Sequence, residues 1–351
     1  MPVETSKTSD LPRDTVPAFD LAWWCRNGHL QTVWRRIFGL RSNLPYKRER
    51  LEIPDGDFLD LDWAQPASDI QSTATIVLVL HGLEGCSLSK YVMGLLAEVT
   101  RAGCRGVAMN FRSCSGEINR LPRFYHSGET SDLGFVVSTI TTRFPRAPIV
   151  IAGFSLGGNV LLKWLGENGD KVPDAVRAAA AVSVPYDLEV SASLIDRGLN
   201  RSVYAAMFIR TLKQKALQKS PRFPDLFDPS AIRKIQSFAQ FDEVVTAPLH
   251  GFRDAKDYWM RSSSVGLIAE IRRPTLLLSA EDDPFLSGEY LRRKIVSDSR
   301  WLVPEFYRRG GHVGFIAGSH PLKPVYWTDT RLPQFLMEQT GQNLLAPRGS
   351  F

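Results

Sequence analysis

The sequence predicts an α/β protein: a doubly wound, mostly parallel sheet interrupted once by a helical insertion. Three observations carry this reading. Continuous apolar, β-branched runs such as ATIVLVL, APIVIAG and PTLLLSA mark strands buried on both faces. Stretches with helical spacing of apolar residues separate the runs, as right-handed crossovers require. The alternation lapses only between about residues 185 and 262, where helices with proline breaks replace it. The composition agrees, since 44% hydrophobic and 23% charged residues over 351 positions exclude a largely disordered chain, a collagen-like fibre or a disulfide scaffold.

Taken in order, residues 1–20 form a polar lead containing three prolines. LAWWCRNGHLQTVWRRIFG then predicts a helix ending at Gly39, with Trp23, Leu30, Trp34 and Phe38 as a stripe docking on the core. RLEIPDGDFLDLDWAQ alternates on both sides of a Pro-Asp-Gly-Asp turn and predicts a β-hairpin. Asp55, Asp57 and Asp60 do not form a calcium loop, because Leu59 stands where a ligand is required. From residue 74 the order is strand (ATIVLVL), helix (LSKYVMGLLAEVTRAG), strand (RGVAMNF), helix (SDLGFVVSTITTRF), strand (APIVIAG), helix (NVLLKWLGENG) and strand (AAAAVSV). Strands return at 274–280 and 301–306. The expected organisation is a lead over 1–20, a first core part over 21–184, a helical cap over 185–262, a second core part over 263–340 and a tail over 341–351.

The four cysteines (Cys25, Cys86, Cys104, Cys114) include no CxxC pair and no Cys/His cluster of zinc spacing, so reduced thiols, no metal and no cofactor are expected. No apolar run reaches the roughly 18 residues that span a bilayer, and no signal-peptide core is present, so a cytoplasmic protein without a transmembrane segment is expected.

The strongest chemical signal is Gly153-Phe154-Ser155-Leu156-Gly157, a G-x-S-x-G pattern. Alone the pattern is weak. Its weight comes from its place, where a buried strand ends and a helix begins, as a nucleophile elbow requires. The glycines let two backbones pass closely while the serine takes strained torsions. A serine hydroxyl needs a base. His312, in RRGGHVGF after the last strand, suits that role, whereas His320 lacks the glycine setting and precedes Pro321. The acid belongs at the end of the preceding strand, in SAEDDPF. Counting three residues from Ala280 gives Asp283, with Asp282 as the alternative. Oxyanion donors are expected from the backbone N–H of Leu156 and from Leu83 in HGLEG, with His81 fixing that loop.

Together these stretches resemble the α/β-hydrolase superfamily, and within it the YheT-like family of esterases, with the membrane-anchored ABHD lipid hydrolases as more distant relatives. The resemblance runs from about residue 20 to 340 and is carried by HGLEGCSLSKY, NFRSCSGEINRLPRFYHSGETSDL, GFSLGGN, FDEVVTAPLHGFRDAKDYW, EDDPF and GGHVGF. It implies an α/β-hydrolase fold, hydrolysis of short- to medium-chain or monoacylglycerol-like carboxylic esters, and catalysis by Ser155, Asp283 and His312. Two positions depart from the family pattern: Ser113 stands where glycine is expected and Phe154 where tyrosine is common.

Other readings differ in class. Thioesterase, amidase and acyltransferase chemistry use the same triad, and a non-catalytic binding protein can use the same fold. Dehalogenases and epoxide hydrolases use an aspartate nucleophile, which counts against them here. The partner expected is a small-molecule ester. Arg201, Arg210, Lys213, Lys215, Lys219 and Arg222 carry no nucleic-acid motif but offer peripheral contact with anionic lipid. Tyr204, Phe208, Phe223, Phe227 and Phe238 suit either an acyl-lining surface or the core of the cap. Within the cap, Asp242 and His250 are packing residues. The polar segment from Arg112 to Asp132 reads equally as an entrance lining or as a hydrogen-bonded structural loop.

Overall fold

The computed structural model describes residues 17–39, 42–65, 71–291 and 299–341. The expected lead over 1–20 and tail over 341–351 lie almost wholly outside these residues. The hairpin strands β1 (Tyr46–Glu52) and β2 (Phe58–Ala64) pair in register about the turn at Pro54–Gly56. They begin an eight-stranded sheet completed by β3 (Ile76–Leu80), β4 (Arg105–Asn110), β5 (Ile149–Phe154), β6 (Val176–Val182), β7 (Thr275–Ala280) and β8 (Leu302–Tyr307). The spatial order is β1-β2-β4-β3-β5-β6-β7-β8, with β2 alone running against its neighbours.

Every residue of β3 and β5 is buried, as their uninterrupted apolar runs require. Alternation along β3 divides the core: Ile76, Leu78 and Leu80 join one cluster, Val77 and Val79 the other. The first cluster takes Leu133, Val136 and Ile140 from α3 (Ser131–Arg143) and Leu161 and Leu165 from α4 (Leu156–Asn168). The second takes Leu95, Leu96 and Val99 from α2 (Lys90–Arg101) and Leu332 and Leu336 from the helix Trp327–Glu338. Each buried leucine removes enough apolar surface from water to stabilise the fold by about 2 kcal/mol. The chain passes from β3 to β4 on one side and then to β5 on the other. That reversal opens a crevice at the carboxyl ends of β3 and β5, where open α/β sheets bind ligands.

The first helix differs from its prediction. It spans Gly28–Phe38 (α1) because Asn27 caps it, its side-chain oxygen accepting the N–H groups of His29 and Leu30. Residues before the cap run along the short strand Ile316–Ala317 and the turn after it instead: Leu21 bridges Ala317, and the indoles of Trp23 and Trp24 donate to the carbonyls of Ser319 and Gly318. Leu30 and Trp34 do pack inward with Trp24, but Trp23 is 67% and Phe38 59% exposed. The residues α1 buries most deeply are polar, Gln31 and Arg35.

Between β6 and β7 the chain forms the helices Leu188–Ile195, Ala206–Lys219, Pro229–Lys234, Phe238–Phe241 and Ala255–Ser262. Phe227 is buried among Ile209, Ile232, Ile235 and Phe241, with Phe223 and Phe238 packed against them, so these three aromatics belong to the core of the insertion. Three of its six highlighted cations also turn inward. Lys213 donates to the carbonyls of Arg233 and Ile235, Lys215 pairs with Glu84, and the buried Lys219 donates to the carbonyls of Leu121, Pro122 and Arg123. Among the described residues no helix is long and apolar enough to cross a membrane.

The segment after β4 is a hydrogen-bonded loop. Arg112 forks onto Asp132 at 2.7 and 2.8 Å and reaches Asp57 at 3.2 Å and Asp55 at 2.8 Å. Burial opposes ionisation of Asp57, but Asn119 and the backbone N–H groups of Arg120, Phe58 and Leu121 hold its carboxyl below the usual carboxylate range. These aspartates thus organise a loop. Ser113, in place of the expected glycine, sits at φ 63°, its N–H donating to Asn119, whose own N–H donates to the Ser113 hydroxyl.

Candidate active site

β5 delivers Ser155 into a turn with φ 52° and ψ −120°, and α4 starts at the next residue. The flanking glycines make the turn possible. A Cβ at Gly157 would lie 2.5 Å from the carbonyl oxygen of His81, and one at Gly153 2.5 Å from that of Gly157. The elbow and the loop after β3 therefore meet backbone to backbone. Gly157→Ala is expected to lower kcat by about 10²- to 10³-fold, the loss that follows when an oxyanion donor is displaced. Its unfolding free energy should fall by about 1–3 kcal/mol from overpacking. Ester turnover beside a urea titration checks both; an alanine variant with wild-type kcat would show that this backbone contact is not critical.

Ser155 Oγ lies 2.9 Å from His312 Nε2, and His312 Nδ1 lies 2.8 Å from Asp283 Oδ2. The Asp283 side chain is fully buried, and its second oxygen accepts the N–H of Phe285 at 2.8 Å. Asp282, the alternative acid, turns elsewhere: its Oδ1 accepts the N–H groups of Gly310 and Gly311, both at 2.9 Å. Burial raises the Asp282 carboxyl above its ordinary pKa despite those two donors. His320 is exposed and accepts the N–H of Leu322.

The loop after β3 packs on the elbow, with Gly82 against the Ser155 side chain. His81 is buried, and burial pushes its pKa down to about 4. Neutral, it accepts the N–H of Phe111 at Nε2 and donates from Nδ1 to the carbonyl of Gly82. The amides beside Leu83 are taken: Gly82 N–H donates to the Tyr91 hydroxyl and Glu84 N–H to the Tyr125 hydroxyl. Among the described residues the N–H groups of Leu83 and Leu156 donate to no protein acceptor. Both remain available to an incoming oxyanion.

Sequence reasoning did not find the residues that hold these loops. Glu84, at φ 53°, accepts the Tyr125 hydroxyl at 2.9 Å and Lys215 of the helix Ala206–Lys219 at 2.7 Å, tying the insertion to the Leu83 loop. A small pocket beside this pair is walled by Phe124, Leu212, Phe241, Val245 and Leu249 together with the polar Tyr125, Thr246 and His250. None of the five aromatics weighed as acyl-lining residues contributes to it. Tyr204 instead hydrogen-bonds His29 and packs on Phe285, whose ring lies tilted against His312. Asp242 and His250 lie within the insertion. The Asp242 carboxyl accepts Trp259 and Thr246 hydrogen bonds, and the His250 ring packs on His126 with centroids 4.4 Å apart.

A sheet of this order, with one reversed strand and a serine at the turn leaving its fifth strand, defines a class of protein, the α/β hydrolases. The chain belongs to the alpha/beta hydrolase family, whose model matches residues 76–326. It is 37% identical over 316 residues to YheT of Escherichia coli strain K12, which bears the provisional name of an esterase; the match covers 88% of this chain and 90% of that one. It is 31% identical over 270 residues to the monoacylglycerol lipase of Saccharomyces cerevisiae, covering 75% of this chain and 57% of the lipase. Among solved structures, an esterase of Pyrococcus furiosus matches the fold with a TM-score of 0.55 at 15% identity, over 85% of this chain and 92% of the esterase.

Proposed function

We propose that this α/β hydrolase is a serine esterase that cleaves short- to medium-chain or monoacylglycerol-like carboxylic esters through an acyl-enzyme. The observation that carries the reading is the unbroken hydrogen-bonded line from Asp283 through His312 to Ser155, ending at the elbow. His312 Nε2 takes the Ser155 proton as Oγ attacks the ester carbonyl, and Asp283 keeps the imidazole in the required tautomer and stabilises it when protonated. The oxyanion receives the N–H groups of Leu83 and Leu156. On collapse His312 returns the proton to the leaving alcohol. Water, activated by the same imidazole, then releases the acid. Relatives named as an esterase and a monoacylglycerol lipase support an ester substrate.

A fluorophosphonate probe is expected to label the protein stoichiometrically, with the adduct mapping to the peptide containing Ser155. A p-nitrophenyl ester series from acetate to palmitate should peak at short to medium chains. A folded protein that neither takes the label nor turns over any ester of the series would sink the reading in favour of a binding protein on the same fold.

A further inference from the structure

The loop that carries His312 is held in an unusual conformation. Gly311 (φ 59°), Val313 (φ 59°) and Phe315 (φ 45°) all take left-handed torsions, and two of the three are bulky residues that disfavour them. Such a backbone persists only where its surroundings over-determine it. Nearly every N–H in the loop has a fixed acceptor. Gly310 and Gly311 donate to Asp282, Val313 to the Ser183 hydroxyl at 3.0 Å, Phe315 to the Gly310 carbonyl at 2.9 Å and Ile316 to the Gln31 side chain at 2.7 Å. The N–H of His312 itself donates to Thr32 Oγ1 at 2.9 Å.

Thr32 and Gln31 belong to α1, which lies outside the stretch matched by the family model. The Thr32 hydroxyl hydrogen is committed one turn back, to the carbonyl of Gly28 at 2.7 Å, so its oxygen can only accept from His312. Gln31 is fully buried and also donates to the carbonyls of Cys25 and Ile316. Gly28 lies directly against the backbone of Asp282, beside the acid. One turn of helix thus touches the acid loop and grips the base loop.

We propose that Thr32 is a positioning residue of the reaction: by accepting the N–H of His312 it fixes the backbone from which the imidazole spans Ser155 and Asp283. The proposal rests on the reading of these three residues as the reacting triad. Valine has nearly the shape of threonine but cannot accept a hydrogen bond, and a small displacement of a catalytic group costs rate far more than binding.

The test is turnover of p-nitrophenyl butyrate by Thr32→Val and Thr32→Ser, with Ser155→Ala in the same assay. Thr32→Val should lose roughly 10- to 100-fold in kcat with KM changed by less than about twofold, and Thr32→Ser should recover to within about threefold of wild type. The downfield proton resonance of the His312–Asp283 hydrogen bond should be sharp in wild type and Thr32→Ser but broadened in Thr32→Val. A purely structural role would lower the melting temperature without moving the resonance or separating kcat from KM. Should the valine variant not fold, Thr32→Cys, a weaker acceptor of similar size, should show a smaller loss in the same direction. Wild-type kcat with a sharp resonance in Thr32→Val or Thr32→Cys overturns the proposal. Wild-type turnover in Ser155→Ala would instead overturn the triad reading, and the proposal with it.

Discussion

Ser155→Ala and His312→Ala should each reduce kcat for a p-nitrophenyl ester by roughly 10⁶-fold, and the double variant should lose almost nothing more. In the proposed reaction the two side chains act as a unit. Oγ is not nucleophilic until Nε2, 2.9 Å away, receives its proton, and the imidazole alone has nothing to activate for acylation. Residual hydrolysis some 10³–10⁴ above the uncatalysed rate should persist, because the amides of Leu83 and Leu156 are untouched. Folding should hardly change: Ser155 occupies left-handed torsions with either side chain, and its backbone N–H remains bonded to the carbonyl of Val182. Single-turnover kinetics with melting curves checks this. More than about one percent of wild-type kcat in Ser155→Ala would mean that another group attacks the ester.

The parts of the molecule legible in the sequence are those whose causes are local. β3, β5, β6 and β7 appear as largely apolar runs because a strand buried on both faces takes mostly apolar side chains, broken here only by the exposed Arg177 and by the small polar Thr275 and Ser279. The hairpin is legible from its turn. The elbow declares itself because two glycines must lie where backbones touch. The order of serine, carboxylate and histidine along the chain led to the residues that the structure joins in one hydrogen-bonded line.

What escaped depends on distant partners. Gln31 and Arg35 are the buried face of α1, yet an amphipathic reading assigns buried positions to tryptophan and phenylalanine. Their partners, Ile316 and Asp329, stand almost 300 residues away and leave no local pattern. The inward lysines escaped for the same reason: composition cannot distinguish Lys215, paired with Glu84 on the Leu83 loop, from a solvated cation on the same helix. Aromatic residues of the insertion were equally ambiguous, because Phe227 satisfies an apolar site whether it faces a substrate or Ile232 and Ile235. Partners close in space and far in sequence also explain why the residues that grip the site are harder to find than Ser155, Asp283 and His312.

The adjacent carboxylates Asp282 and Asp283 separate by what their oxygens accept. Asp283→Asn should lower kcat by about 10⁴-fold. An asparagine keeps one oxygen for the N–H of Phe285 but sets its amide against His312 Nδ1, where it can donate. The imidazole then carries its proton on Nε2, facing Ser155, and cannot act as the base. No partner remains to stabilise it when protonated. Asp282→Asn should cost less than about tenfold, because an amide oxygen still accepts the N–H groups of Gly310 and Gly311. Asp282→Ala removes that acceptor and should fall between the two, since the loop carrying His312 loses two of its ties while the tautomer is preserved. The ranking Asp283→Asn, Asp282→Ala, Asp282→Asn in order of decreasing damage, measured as kcat on one ester at one pH, distinguishes a carboxylate that orients the base from one that only shapes its loop. Equal losses in the two asparagine variants would mean that both carboxylates reach the imidazole during turnover, and that the 2.8 Å contact of Asp283 is one of two arrangements.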